Sequence, residues 1–405
     1  MRVCPICGSK QLDRLFSLPD IPVLVNALPD SVDDAKKFLK GTQSLSLCRK
    51  CGFVFNSTFE PEKMMYRSGY HNERGCSPFY LRHIHHIIDF IEQTKPIKDQ
   101  RLLEVACGQG EFLSETIKHN PKISIGVDPS AYMIDKGVLH LQNVLFDETY
   151  LKHMAYPADI LINRHMIEHI QNPLKMLRLF RCALADDGIL YLETPRLDWI
   201  LENRVFFDFP YEHCSYYSDA FIARLLKMAG FEIVAFERSY AGQYFSICAK
   251  KCAPQMIPSS DIETELLQIR KSFSAMSQTY TDLNREEYVK NFYTEIVEAA
   301  NVASNVFSQS PARFYIWGAS AKGVMCANLL NRWPIIGLID QNLYKQGKFV
   351  PGTGQLVMSP NDIPSDSTVQ VILVANDVYL DEIRLVVEKI APYVQVYSLS
   401  RLLTR

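Results

Sequence analysis

The sequence predicts an α/β protein built from two strand–turn–helix–strand units and a separate cysteine-bearing module at the N-terminus. Three observations carry this. The apolar run Leu102, Leu103, Val105 breaks at Cys107-Gly108-Gln109-Gly110, passes through a helical pattern (Phe112, Leu113, Ile117) and resumes at Ile123–Val127, ending on Asp128. The same order returns at Arg313–Trp317, Gly318–Gly323, Val324–Asn331 and Ile335–Asp340. Two Cys-x-x-Cys pairs, Cys4/Cys7 and Cys48/Cys51, stand ahead of both.

With 405 residues the chain is long enough for two or three domains with well-buried cores. Its 43 basic and 45 acidic residues give no electrostatic footprint for nucleic acid or for an anionic membrane surface. No apolar run approaches the roughly 20 residues of a spanning helix, and MRVCPICGSK lacks the apolar core of a secretory signal. A cytoplasmic location is expected. Four of the 11 cysteines fall in the two pairs and the others are scattered, which fits reduced thiols and one metal site better than disulfides. The oligomeric state leaves no signature.

Residues 1–75 are expected to form the metal module. Each pair is followed by a glycine, Gly8 or Gly52, that permits the tight turn presenting two thiolates to one Zn2+ ion. Residues 8–47 then form a long insert. Four cysteine ligands leave no open position, so the metal is structural. A redox Cys-x-x-Cys would need a thioredoxin-like context, and a nucleic-acid-reading ribbon would need more basic and aromatic interleaving. The segment from Phe59 to Tyr80, with Tyr66, Tyr70 and His71, reads either as the start of a lid or as a packed connector. Leu81–Gln93 is an amphipathic helix whose histidines, His83, His85 and His86, read as surface or cap residues.

Residues 76–252 are expected to be the catalytic core. A dinucleotide fold would place a third glycine where Leu113 stands, so a nicotinamide cofactor is disfavoured. Glu104, Gly108, Gly110 and Asp128 together resemble the cofactor loop of class I S-adenosylmethionine (SAM) methyltransferases; the bland alternative is an ordinary glycine turn. The resemblance implies that these four residues bind SAM, and an acid-lined pocket suits a sulfonium cation better than a pyrophosphate. Asp147, at a strand end, is a further candidate for the adenine. Asp159–Asn163 is a buried strand, with Arg164–His169 at its C-terminal edge, where ligands of open α/β sheets sit. His165 occupies a position that is often asparagine in that family, and His169 reads as a cap or packing residue. Pro173–Leu184 is a helix, Asp186-Asp187-Gly188 a turn, and Phe231–Glu237 with Tyr244–Ala249 a closing antiparallel pair.

Between these lies FFDFPYEHCSYYS, Phe206–Ser218, an aromatic loop outside the regular sheet. Methyl transfer from a sulfonium needs no help at the electrophile, so the task is to generate a nucleophile. His213 has the pKa of a base near neutrality, and Glu212 beside it can orient the ring. The alternative is a loop in which His213 bonds only backbone.

Residues 253–405 are read as a linker, a helical stretch over 262–308, and a Rossmann-like α/β domain. In its glycine turn, Ser320, Lys322 and the backbone amides of a helix N-terminus make an anion site. It is not a Walker A loop, because Lys322 precedes Gly323 and no Ser or Thr follows. Val369–Asp377 and Val394–Leu399 are further strands. A domain kept for packing or dimer contacts is the competing account of Ser320, Lys322 and Asn376.

The two cysteine pairs, the SAM-type core, Glu212-His213 followed by Ser215-Tyr216-Tyr217-Ser218, and the third αβ domain together resemble the bacterial sugar C-methyltransferases. That resemblance spans essentially the whole chain. It implies C3-methylation of a thymidine-diphosphate 4-keto-deoxysugar, Cys4, Cys7, Cys48 and Cys51 as zinc ligands, and Glu212-His213 as the general-base dyad. Pro210 stands where the family has a catalytic tyrosine, which leaves Tyr211 or Tyr216 to stabilise the enolate oxygen. It also keeps open O- or N-methylation of a sugar or other small metabolite. A non-catalytic SAM-binding scaffold is the reading from a different class.

Overall fold

The computed structural model describes residues 3–64, 77–255, 262–291, 294, 295, 298, 313–330, 332–364 and 370–400. Tyr66, Tyr70 and His71, which bear on the lid question, lie outside them, as does much of the helical stretch expected up to residue 308.

The N-terminal module begins with a long hairpin-like pairing, β1 (Leu12–Pro22) antiparallel to β2 (Lys40–Cys48), and β3 (Val54–Asn56) adds to β2. The central part carries β4 (Arg101–Val105), β5 (Ile123–Val127), β6 (Ile134–Lys136), β7 (Leu139–Gln142), β8 (Ala158–Arg164), β9 (Leu184–Pro195), β10 (Ser215–Tyr216), β11 (Phe231–Ser239) and β12 (Tyr244–Lys251). Eight of these form one sheet in the order β11-β12-β9-β8-β4-β5-β7-β6. β4, β5, β7, β8 and β9 run parallel, while β12 is antiparallel to both β9 and β11. A parallel sheet closed by one reversed strand between its last two parallel neighbours is the class I methyltransferase fold, as the sequence predicts.

Two details differ from expectation. Asp186-Asp187-Gly188 is not a separate turn but lies within β9, where pairing with β8 is irregular between Ala158 and Ile160. The loop carrying His213 is not outside the sheets: β10 pairs antiparallel with β3, through Ser215 with Phe55 and Tyr216 with Val54. The fourth strand of the N-terminal sheet is thus supplied from the middle of the chain.

The C-terminal part has β13 (Arg313–Trp317), β14 (Ile335–Ile339), β15 (Leu356–Met358), β16 (Gln370–Val374) and β17 (Gln395–Ser398), all parallel, in the order β15-β14-β13-β16-β17. The connection reverses direction between β13 and β16, and ligands of open sheets bind at such a switch. The helix Ala321–Leu329 packs so closely there that a Cβ on Gly323 would run into the Gly318 carbonyl.

Hydrophobic burial holds the three parts together. One core contains Leu18, Leu45 and Val54 of the N-terminal sheet, Phe206, Phe209 and Tyr211 of the loop, and Leu266 and Phe273 of the helix Ile262–Leu283. It also contains Phe314 and Val371 of the C-terminal sheet. Two other cores cover the two faces of the eight-stranded sheet.

Candidate functional site

The four paired cysteines converge. Gly8 and Gly52 hold left-handed backbone (φ +69° and +81°) and donate to the Cys4 and Cys48 carbonyls, each at 2.9 Å, closing two equivalent knuckles. Sγ of Cys4 lies 3.6 Å from Sγ of Cys51, and Sγ of Cys7 lies 3.5 Å from Sγ of Cys48, so no pair is bonded. A tetrahedral zinc with bonds of about 2.3 Å would set its sulfurs about 3.8 Å apart. The cluster fits that ion with only a slight expansion.

The glycine turn after β4 is braced from within. Ala106, Gly108 and Gly110 all have positive φ (+62°, +53° and +77°), and space is open above Gly108. Asp128 Oδ2 accepts the Gly108 N–H at 3.0 Å, while Oδ1 accepts the Ser130 N–H and hydroxyl at 2.7 and 2.6 Å. Gln109 bridges to Ser130 and Tyr132. Glu104 is 3 % exposed and its Oε2 has no hydrogen-bond partner among the described residues. Burial, with the negative charges of Asp128 and Glu193 outweighing Arg164, pushes its carboxyl up to about 8. A buried carboxylate without a partner beside an open glycine turn is a fitting place for a cationic ligand.

Asp147 has another task. Its Oδ1 caps the helix Glu148–His153, accepting the Thr149 and Tyr150 N–H groups at 2.8 Å each, and it lines a hollow on a different part of the sheet from His213.

A cavity of about 190 Å³ lies between the methyltransferase core and the C-terminal domain. His165, Glu168, His169, Asp208, Glu212 and His213 line one side, Gly318, Ser320, Lys322 and Asn376 the other, and Asn26 enters from the N-terminal module. The His213 and His169 rings meet edge to face, 4.8 Å between centroids. Burial, reinforced by His213, holds the His169 pKa below its ordinary value. Glu168 is 2 % exposed and takes the Thr194 hydroxyl at 3.0 Å. Burial opposes its ionisation, but the neighbouring His165, with His169 and His213, holds the carboxyl down at about 2. Glu212 Oε1 accepts the Val25 N–H at 3.0 Å, and Oε2 lies 3.8 Å from His169 Nδ1. Its carboxylate is therefore placed by the N-terminal module and faces His169.

Tyr211 and Tyr216 do not line the cavity. The Tyr211 hydroxyl accepts the Glu60 N–H at 2.9 Å, and the Tyr216 hydroxyl accepts from Gln43 Nε2 at 2.6 Å. Gln43, fully buried in β2, also donates to the Pro210 and His213 carbonyls at 3.0 and 2.9 Å. Nothing in the local sequence marks Gln43. Glu168 and His169 had a signal, their place at the C-terminal edge of a parallel strand.

Beneath the cavity Glu193 is completely buried and gathers His83 (2.8 Å), His165 (2.9 Å, as an ion pair) and Arg164 (3.3 Å). His83 is thus an interior partner and not a surface residue. His165 adopts φ +51°, which an asparagine would accept more readily. Across the cavity Lys322 Nζ lies 3.2 Å from Asp208 and donates to Gln243 at 2.7 Å. Asn376 accepts from Gln243 at 2.9 Å.

Comparison with known proteins supplies what geometry alone does not. Residues 78–235 match a family model described as a methyltransferase domain. The C-methyltransferase NovU of Streptomyces niveus is 24% identical over 372 residues, 88% of this chain and 85% of that protein. The chain is an S-adenosylmethionine-dependent methyltransferase. The likeness to that C-methyltransferase covers most of both chains. A ubiquinone biosynthesis O-methyltransferase of Haemophilus ducreyi is 29% identical over 107 residues, 24% of this chain and 45% of that protein. A SAM-dependent methyltransferase structure from Mesorhizobium loti covers 40% of the methyltransferase and 96% of its own chain, at 11% identity and a TM-score of 0.31. Among the described residues, no helix is long and apolar enough to cross a membrane.

Proposed function

We propose that this methyltransferase C-methylates a nucleotide-linked keto-deoxysugar, with His213 as the general base. One observation carries the reading: His213 shares a single cavity with the glycine turn of the second α/β domain, so a base and an anion-binding turn face one acceptor. The full-length likeness to a C-methyltransferase supports it.

SAM supplies an electrophilic methyl group, held by Glu104, the Gly108–Gly110 turn and Asp128. The remaining chemistry belongs to the protein. A ketone beside the acceptor carbon acidifies its proton, and His213 removes it. The enolate oxygen needs a donor; Tyr211 and Tyr216 are committed elsewhere, and His169 is the ring that meets His213 in the same cavity. Lys322, Ser320 and the amides of the helix Ala321–Leu329 face the phosphates. Cys4, Cys7, Cys48 and Cys51 hold a structural Zn2+. A cytoplasmic location belongs to the same reading.

The test is hydrogen exchange. Offered a 4-keto sugar nucleotide in deuterated water, the enzyme should wash deuterium into C3 without SAM, and His213→Ala should stop it. Absence of exchange together with methylated product would favour an oxygen or nitrogen acceptor, the reading that Pro210 keeps open.

A further inference from the structure

Beyond the thiolate cluster, Glu168, His169 and His213 bring one donor atom each to within 4.8 Å of one another. We propose that these three side chains form a second metal site, for a divalent transition-metal ion with nitrogen and oxygen ligands, whose occupancy takes the His213 imidazole out of use. The arrest of catalysis rests on the base assignment above; the binding itself does not.

The donor chemistry selects the ion. Two imidazoles and one carboxylate suit zinc, cobalt, nickel or iron(II), and not calcium or magnesium, which take oxygen shells. Three protein ligands on a cavity wall leave the remaining positions facing the acceptor space, the arrangement of an open site. Bonds of about 2.0–2.2 Å put donors about 3.0–3.6 Å apart, so from separations of up to 4.8 Å the three close by up to about 1–2 Å through side-chain rotation.

The framework around them is already fixed. The Ile167–His169 turn and the His213 loop are bound to each other by Cys214 N–H to the Glu168 carbonyl (2.9 Å), Ser215 Oγ to the Ile170 carbonyl (2.6 Å) and Tyr217 OH to the Ile167 carbonyl (2.7 Å). Behind the ligands stand two supporting groups of the kind that orient metal ligands: the Thr194 hydroxyl on Glu168, and the Glu212 carboxylate near His169 Nδ1. Lys322, on the opposite wall, contacts Asp208 and Gln243.

Cobalt(II) titration of the zinc-loaded enzyme tests this, because thiolate ligation gives an intense near-ultraviolet charge-transfer band and a nitrogen–oxygen site does not. The expected result is one further equivalent of cobalt bound without that band. Methyl transfer should fall in step with occupancy and be restored by a chelator too weak to strip the thiolate site. His169→Asn and Glu168→Gln should lose the cobalt while still binding SAM, which reports their folding. Paramagnetically shifted ring N–H signals from two histidines in the unsubstituted enzyme give a readout that needs no variant. No cobalt beyond the thiolate site, or undiminished binding in both variants, overturns the site. Cobalt bound with methyl transfer intact overturns the arrest, whereas a wrong base shows separately as full activity in His213→Ala.

Discussion

Replacing Gln43 by leucine removes a single donor from a fully buried position yet should reach the chemistry. The side chains are similar in size, so the change is mainly electrostatic. The two N–H bonds of Gln43 serve the Pro210 carbonyl, the His213 carbonyl and the Tyr216 hydroxyl. The Pro210 carbonyl keeps the His213 N–H at 3.1 Å, so the change mainly strands the His213 carbonyl, at a cost of about 1–3 kcal/mol if the loop stays in place. The loop can lower that cost only by moving toward water, and His213 then moves with it. A misplacement on the order of 1 Å at a reacting group lowers turnover about 100-fold. Gln43→Leu should therefore lose either stability, seen as a lower urea midpoint, or turnover, seen as kcat, while calorimetry shows SAM affinity preserved. Gln43→Glu should be worse, because an acceptor would face two carbonyls. An unchanged midpoint together with unchanged kcat would refute this reasoning, and an equal loss of SAM affinity would show that the effect is not confined to the loop.

Stripping the proposed zinc should act through the same route, since the N-terminal module carries Val25, Gln43 and β3 against the loop. Strong chelation is expected to abolish methyl transfer before it abolishes SAM binding, as activity and calorimetry on one sample would show. The affinity for SAM should rise with pH through about 8, because Glu104 ionises there and its anion attracts the sulfonium; Glu104→Gln should flatten that profile. Without ligand, the same raised pKa makes the Glu104 contribution to stability full below its unfolded value near 4.5 and lost as pH rises through about 8. Glu168 has the opposite sign. Its carboxyl is depressed to about 2, so its contribution is present above pH 4.5 and lost as pH falls toward 2, and Glu168→Gln should make the fall of stability over that range less steep. Gly323→Ala should unfold or displace the C-terminal glycine turn, costing about 3 kcal/mol or more by thermal melting, since its Cβ overlaps a backbone oxygen that cannot rotate away.

Much of the fold was legible because local patterns carry it. The glycines at 108 and 110, the acid at 128 and the reversed pair at β11 and β12 are all readable as runs, turns and periods. The second glycine turn was readable in the same way, and the switch between β13 and β16 puts it at a ligand edge. Asp147 shows the limit. A polar residue at a strand end can grip a ligand or cap the next helix, and only the path of Glu148–His153 decides for the cap. Tyr211 and Tyr216 show a related limit. Adjacency to His213 in sequence says nothing about direction, and their hydroxyls point into the N-terminal module, toward Glu60 and Gln43.

By itself, the sequence determined the two nucleotide-type turns, the four thiols and the Glu212-His213 pair, because each depends on neighbours within a few tens of residues. The tertiary structure alone decided what surrounds His213. His169 and Glu168 reach His213 across 44 and 45 residues, Gln43 and Val25 reach its loop from more than 160 residues away, and Lys322 closes the cavity from the far domain. These contacts are set by how the N-terminal and C-terminal sheets and the His213 loop share one apolar core, and the packing of that core has no period that a sequence can display.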